Sequence, residues 1–266
     1  MVGVVDSPPR PAGNAEPAQW LLGRLDYWKG DWVTGLAGPG FDAYARVFHP
    51  LDDEPGSSRW SDVARANGRV MHSSAQWEQI SSPPGEVRAD AGARGRGRPG
   101  DPLIGQLDAW VLDVLSDVLA RHTSTPDECF FAVWEGWGWQ NPGAHQVAQF
   151  SAIGSPVEPV APAPDGWQLD LSGPKFSLPG RDYYLFAGAV SDASRFGYWI
   201  TADWFDTQSP SIFWPADHAW CVATEIDLDS TLVGGSQALI TDLSGSDTIE
   251  VLRVPPDAPN LDLINQ

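Results

Sequence analysis

The chain has few cysteines, few lysines and no long apolar run, and each shortage excludes a class of protein. Its 266 residues include two cysteines, Cys129 and Cys221, each inside an apolar segment. This placement predicts two buried thiols and not a disulfide framework. No apolar run approaches the roughly 20 residues that a membrane-spanning helix needs. The N-terminal segment has no basic stretch followed by an apolar one, so we expect no secretory signal and a cytoplasmic protein.

Positive charge is scarce throughout the sequence. There are 16 basic and 35 acidic residues, which gives a formal net charge of -19, and the only lysines are Lys29 and Lys175. A nucleic-acid partner is not expected, because phosphate binding requires a basic face. The acidic balance suits either simple solvation of the surface or a basic protein partner.

The common catalytic and cofactor motifs are also missing. The sequence has no HExxH, no pair of CxxC motifs, no GxSxG, no P-loop and no GxGxxG between a strand and a helix. We therefore expect no bound metal and no cofactor. The apolar surroundings of both cysteines argue against a cysteine nucleophile.

Tryptophan, by contrast, is abundant. The 14 Trp and 42% hydrophobic residues indicate a globular chain with an aromatic core, an aromatic-lined pocket or an aromatic binding face. We predict an α+β fold with a largely antiparallel sheet, a few packed helices and long loops rich in Pro and Gly. The predicted division is a disordered tail over 1–15 and one α+β domain over 16–266. Mobile loops are predicted at 81–101, which includes the Arg-Gly run at 88–98, and at 154–166.

Hydrophobic periodicity predicts the main elements. Segments with helical spacing or a helix-capping residue are 16–25, 60–67, 105–121 and 236–243. The apolar run 129–134 predicts a central strand that is covered on both faces. The remaining predicted strands are 41–49, 166–171, 182–189, 196–200, 212–214, 219–228 and 248–254.

One of these strands carries a row of carboxylates. Strict alternation places Glu225, Asp227 and Asp229 on one face, about 6–7 Å apart along the strand. Three carboxylates in a row repel one another unless they are solvated, paired with arginine or bound to a cation. Arg181 and Arg195 are the candidate partners. A partly buried carboxylate in the row would also suit general acid or base chemistry.

Two aromatic segments supply further candidates. In WEGWGW (134–139), the glycines let the chain turn sharply, so that Trp137 and Trp139 can project beside Glu135 as anchors for a ligand or a partner. The alternative is a loop folded back over the core. Before the carboxylate strand lie Trp214, Asp217 and His218, where a histidine near carboxylates is either an acid or base or a capping or surface residue.

Five blocks of the sequence resemble a family of actinobacterial hypothetical proteins. They are GFDAYARVFHP (40–50), WSDVARANGRV (60–70), WEGWG (134–138), LPGRDYYLFAG (178–188) and WPADHAWCVATEIDLDSTLVGGS (214–236). The resemblance implies a bacterial, cytoplasmic protein and no particular activity. In composition alone, the chain is also similar to the immunity proteins of bacterial toxin systems.

These patterns leave two functions open. The first is an acidic binding protein, of the immunity type, that meets a basic partner with an aromatic and carboxylate surface. The second is a small-ligand-binding protein or an enzyme with a pocket between the WEGWG segment and residues 214–231. A purely structural role for the blocks is a third interpretation. The candidate binding residues are Glu135, Trp137, Trp139, Arg181, Trp214, Asp217, His218, Glu225, Asp227 and Asp229.

Overall fold

A nine-stranded antiparallel sheet is the main element of the fold. The computed structural model describes residues 8–26, 32–51, 59–85, 100–140, 168–202 and 204–258. Within these residues the chain forms eleven strands and five α-helices. This confirms the predicted α+β class with a largely antiparallel sheet.

The elements have the following bounds. The strands are β1 (Arg10–Pro11), β2 (Ala43–Phe48), β3 (Cys129–Trp134), β4 (Lys175–Leu178), β5 (Arg181–Gly188), β6 (Gly197–Thr201), β7 (Trp204–Thr207), β8 (Ile212–Pro215), β9 (Cys221–Thr224), β10 (Ser230–Gly235) and β11 (Val251–Val254). The α-helices are α1 (Trp32–Ala37), α2 (Trp60–Ala66), α3 (Trp77–Ile80), α4 (Ala109–Ala120) and α5 (Gln237–Ser244). Short 3-10 helices lie at Glu16–Leu21, Gly138–Gln140 and Val190–Arg195.

The strand order of the large sheet is β1-β5-β3-β8-β9-β10-β2-β11. β4 pairs with the first half of β5, and β1 pairs with the second half. β6 and β7 form a separate hairpin. β3 has β5 on one side and β8 on the other, and its side chains are buried or half-buried. The continuous apolar run of β3 is therefore a central strand, as predicted.

Helices α4 and α5 cover one face of the sheet. Alternate strand residues, such as Ala45, Val222 and Val233, are buried on this side against Leu115 of α4 and Leu239 of α5. The alternation follows from strand geometry, which sends successive side chains to opposite faces. Burying each of these leucines contributes about 1.5–3 kcal/mol.

Helices α1 to α3 and the first 3-10 helix cover the other face. On this side β2 carries Arg46, whose side chain is fully buried. The guanidinium donates to the carbonyl of Ala75 at 2.7 Å, to Ser230 Oγ at 2.8 Å and to Asp229 Oδ1 at 3.1 Å. It also lies 4.5 Å from the ring centroid of Phe48. Burial lowers the pKa of Arg46 to about 10, with Asp229 opposing the shift, so the side chain stays charged at neutral pH.

Most predicted elements are present with shifted ends. The helix predicted at 105–121 begins at Ala109, and the one predicted at 16–25 is a 3-10 helix that ends at Leu21. Ser236 caps α5 as predicted, because its Oγ accepts a hydrogen bond from the backbone N–H of Leu239 at 3.2 Å.

Three expectations are wrong in part. Residues 1–15 are not a loose tail throughout, since β1 pairs with β5 and Ala12 is buried. The described part of 166–171 contains no strand. The strand expected over 219–228 ends at Thr224. Residues 86–99 of the first predicted loop, and all of 154–166, lie outside the described residues.

Candidate functional site

A cleft opens at the end of the sheet where β9 turns into β10. It lies on the face that α1 and the first 3-10 helix cover. The cleft is small, with a cavity volume of about 40 Å³. Its lining residues are Leu25, Gly35, Leu36, Leu178, Pro179, Arg181, Tyr183, Ser211, Ile212, Ala223, Thr224, Glu225 and Ile226. The lining is mainly apolar, and Arg181 and Glu225 form its charged group.

An arginine shared by two carboxylates forms the charged side of the cleft. Arg181, the first residue of β5, donates from Nη2 to Glu225 Oε1 at 2.8 Å and to Asp227 Oδ2 at 3.3 Å. Glu225 Oε2 in turn accepts from the backbone N–H of Asp227 at 2.7 Å. The sequence therefore identified Arg181 correctly as a partner, whereas Arg195 pairs with Asp192 at 2.7 Å.

The carboxylates meet because the chain turns at this point. After Thr224, the N–H of Leu228 donates to the carbonyl of Glu225 at 3.1 Å, and β10 then returns beside β9. The N–H of Gly105 donates to the carbonyl of Leu228 at 2.8 Å and so holds the turn from outside. A straight row of three carboxylates is therefore wrong. Glu225 and Asp227 share Arg181, while Asp229 pairs with Arg46.

Burial sets the electrostatics of the cleft. Glu225 is 9% exposed, and desolvation raises the pKa of its carboxyl despite the hydrogen bonds from Asp227 and Arg181. Burial also opposes the charge of Arg181, but the hydrogen bond and the attraction to Glu225 raise the pKa of the guanidinium. Desolvation, together with the nearby Glu225, raises the pKa of Tyr183. Both oxygens of Glu225 already accept hydrogen bonds, so a role as a free general base is not what the geometry favours.

The WEGWG segment lies beside this cluster. The guanidinium of Arg181 lies 5.4 Å from the ring centroid of Trp134, which in turn meets Trp137 edge-on at 5.5 Å between centroids. Trp137 is half-buried and packs against the core, so the segment is folded back and not projecting. Glu135 pairs with Lys175 of β4. The side chain of Trp139 lies outside the described set.

A polar chain runs behind the cleft. Thr224, a lining residue, contacts Thr231 at 2.8 Å between hydroxyls, and Thr231 Oγ1 lies 3.0 Å from His49 Nε2. His49 Nδ1 is 2.6 Å from the carbonyl oxygen of Leu103. Since a carbonyl only accepts, Nδ1 carries the proton and Nε2 accepts from Thr231. His49 is thus a buried, fully bonded histidine.

The remaining predicted residues do not reach the cleft. Trp214 is buried in the core, 6.0 Å from Trp20 between centroids. Asp217 lies beyond the far end of β8, where it accepts from the N–H and hydroxyl of Ser124. His218, at φ 56°, stacks on Trp20 at 4.4 Å. A pocket that combines Trp214 and His218 with Glu225 is therefore not formed.

Within the ranges that the structure describes, no three His, Cys, Asp or Glu side chains are arranged to hold a metal ion. None of the helices there has the length and hydrophobicity that a bilayer crossing requires.

Sequence reasoning missed the apolar lining of the cleft and three of its polar residues, namely Ser211, Tyr183 and Thr224. Tyr183 had a usable signal, because it follows Arg181 by two positions on β5 and so shares its face. Ser211 precedes a short apolar strand and gave no signal that its hydroxyl would be buried.

Comparison with known proteins gives no further guide to function, since no family model, no curated protein and no solved structure matches the chain.

Proposed function

We propose that the chain is an acidic binding protein that recognises a basic protein partner, with the cleft around Arg181, Glu225 and Asp227 as its anchoring site. One observation carries the proposal: a single arginine is shared by two carboxylates at the mouth of an apolar cleft. This cluster has a net charge of -1. A lysine or arginine side chain from a partner would neutralise the charge and lay its aliphatic stem on the apolar walls.

The position of Asp227 supports this proposal. Its side chain is 65% exposed, and its hydrogen bond to Arg181 is long at 3.3 Å, so it has acceptor capacity for a donor from outside. The charge of the whole chain, -19, would attract a basic partner over a distance set by the salt concentration. Association would then be fast at low salt and slower at high salt.

Selection from a random displayed peptide library tests the proposal. We expect enrichment of peptides with arginine or lysine, and a dissociation constant that rises about tenfold or more between low and physiological salt. Asp227→Asn should weaken the selected peptides by about three- to tenfold, because the cluster then carries no net charge.

Asp113→Asn is the matched control, since Asp113 is exposed on α4 and changes the total charge by the same amount. It should change affinity by less than about twofold. Enrichment of uncharged peptides, or equal effects of the two substitutions, would contradict the proposal.

A further inference from the structure

Asn67 and Gly68 follow helix α2 directly, and they form the only Asn-Gly pair in the sequence. Gly68 is exposed, and a Cβ built on it would meet no atom within 4 Å. Its φ of 67° is one that a glycine adopts without strain. No side chain on Gly68 hinders its backbone nitrogen, which is the atom that can attack the amide of the preceding asparagine.

An asparagine before a glycine can lose ammonia without an enzyme. The backbone nitrogen of Gly68 attacks Cγ of Asn67, so that an N–Cγ bond forms. The Cγ–Nδ2 bond breaks, and Nδ2 leaves as ammonia with the proton of the Gly68 N–H. Water then opens the resulting succinimide at either carbonyl and leaves aspartate or β-linked isoaspartate at position 67. The reaction consumes one water and requires no other reagent.

The fold holds this pair in an unreactive geometry. Asn67 has ψ 7°, which places the nitrogen of Gly68 beside the backbone nitrogen of Asn67 and turned away from Cβ. The N–H of Gly68 donates to the carbonyl of Arg65 at 3.2 Å. The side chain is fixed as well, because Asn67 Nδ2 donates to the carbonyl of Ile80 at 2.9 Å. Ring closure therefore requires a rotation about ψ and the loss of both hydrogen bonds.

The hydrogen bond from Asn67 ties helix α2 to helix α3. Ile80 is the last residue of α3 and is buried in the same cluster as Trp60 of α2. The rings of Trp60 and Trp77 also meet across the two helices, at 5.2 Å between centroids. Because α3 has four residues, these contacts hold it in place, and its own helical hydrogen bonds do not suffice. Separation of α3 from α2 is the local opening that frees the Asn67 side chain.

Deamidation would remove this tie permanently. A carboxylate has no N–H to donate, so at position 67 it could not bond the carbonyl of Ile80. Two oxygens, one of them charged, would face each other across the same gap. An isoaspartate linkage would also lengthen the backbone at the end of α2 by one methylene. The product therefore favours the open arrangement in which it formed.

We propose that the pair of Asn67 and Gly68 is a self-modification site that helix α3 keeps closed. The succinimide forms when α3 separates from α2, and the product prevents α3 from docking again as tightly. The site thus records irreversibly how often this part of the protein opens. The proposal concerns α2 and α3 and is independent of the binding cleft.

Peptide mapping by mass spectrometry, after incubation at pH 8, tests the proposal. The native protein should convert Asn67 at least about tenfold more slowly than the same protein unfolded in urea, because only the open fraction reacts. In urea, Asn67 should convert well before Asn14, which precedes an alanine. Equal rates for Asn67 in the native and unfolded protein would overturn the proposal, and so would equal rates for Asn67 and Asn14 in urea.

Ile80→Ala identifies the opening that matters. It shortens the buried side chain that seats α3, so the native rate at Asn67 should rise about fivefold or more. Leu243→Ala is the matched control, because it shortens a buried side chain of α5 on the other face of the sheet. It should leave the native rate within about twofold of wild type. Equal acceleration by the two variants would overturn the role of α3.

Asn67→Asp reproduces the aspartate product and does not depend on the rate of the reaction. Hydrogen exchange at the N–H of Ser81, which donates to the carbonyl of Trp77 at 2.9 Å, should become about fivefold faster or more. Asn14→Asp is the matched control, because it adds the same charge at an exposed asparagine whose Oδ1 accepts a hydrogen bond. It should leave the exchange of Ser81 unchanged. Wild-type exchange in Asn67→Asp would overturn the statement that the product keeps α3 from docking.

Discussion

His49 is a histidine that the fold keeps neutral. Burial lowers its pKa to about 4, with the nearby charge of Arg46 acting in the same direction and the hydrogen bond to Leu103 opposing it. In the neutral ring, Nδ1 donates to the carbonyl of Leu103 and Nε2 accepts from the hydroxyl of Thr231. A proton on Nε2 would force the Thr231 hydroxyl to change from donor to acceptor and would place a buried positive charge near Arg46.

Through His49, lowering the pH destabilises the folded protein. The unfolded chain binds a proton at His49 below about pH 6.5, whereas the folded chain binds it only below about pH 4. Above about pH 6.5, His49 is neutral in both states and costs the folded protein nothing. As the pH falls from 6.5 towards 4, the unfolded chain takes up the proton first, and the free energy of unfolding decreases by about 3 kcal/mol in total. We expect His49→Gln to lose this part of the pH dependence in urea unfolding between pH 4.5 and 7.

The comparison of wild type and variant at each pH removes the opposite contributions of Glu225 and Asp229, whose pKa values are raised mainly by burial. His72→Gln, at an exposed position, is the control and should keep the wild-type profile. A profile for His49→Gln that parallels wild type would show that His49 is not the group responsible.

The turn between β9 and β10 depends on a close backbone approach from Gly105. That glycine has φ 74°, and a Cβ there would lie 2.4 Å from the carbonyl oxygen of Ile226. Gly105→Ala should therefore destabilise the protein by about 2 kcal/mol or more and displace Glu225 from Arg181. The free energy of unfolding in urea measures the first effect.

Gly68→Ala separates backbone strain from the steric conflict. Gly68 has φ 67°, but a Cβ there meets no atom within 4 Å. Its substitution should cost only the left-handed backbone term, about 1 kcal/mol. Equal losses for the two variants would show that the approach to Ile226 does not hold the turn.

The same turn shows where sequence patterns stop being informative. β3 and α4 were predictable because their apolar residues report burial on two faces or on one stripe. The alternation of apolar and acidic residues continues to Asp229, although β9 ends at Thr224. In this stretch the apolar residue Leu228 is buried in the cluster around α1, so its burial does not indicate a strand. Helix α1, with six residues, is too short for a reliable period.

The candidate site was predictable to a similar degree. Scarce cations made Arg181 a natural partner for Glu225 and Asp227, and the structure has that pairing. The burial of the Ser211 hydroxyl and the apolar walls depend on how distant segments pack. No local pattern carries that information.

At the scale of the whole molecule, the reactivity of the two buried cysteines measures how readily the sheet opens. Cys129 and Cys221 lie on the central strands β3 and β9, are fully buried, and have pKa values raised to about 12 mainly by burial. At pH 8, about one thiol in ten thousand would be ionised. We expect neither to react with a thiol reagent in the native protein, and both to react in strong denaturant.

Ser177→Cys supplies an exposed thiol on β4 as a positive control in the same reaction. If the sheet opens as one unit, Cys129 and Cys221 should become reactive at the same denaturant concentration. Reaction of one of them at a clearly lower concentration would show that its strand opens separately.

Both borders of the large sheet are short and interrupted. Two small segments, β4 and β1, divide the outer side of β5 between them, and Pro11 has no N–H to offer a further strand. At the other border, β11 has four residues and is followed by Pro255 and Pro256. Within the described ranges, neither border presents the long, regular ladder on which chains join edge to edge into aggregates. The few residues of β1 thus protect the backbone of Phe186 and Ala187 from intermolecular pairing.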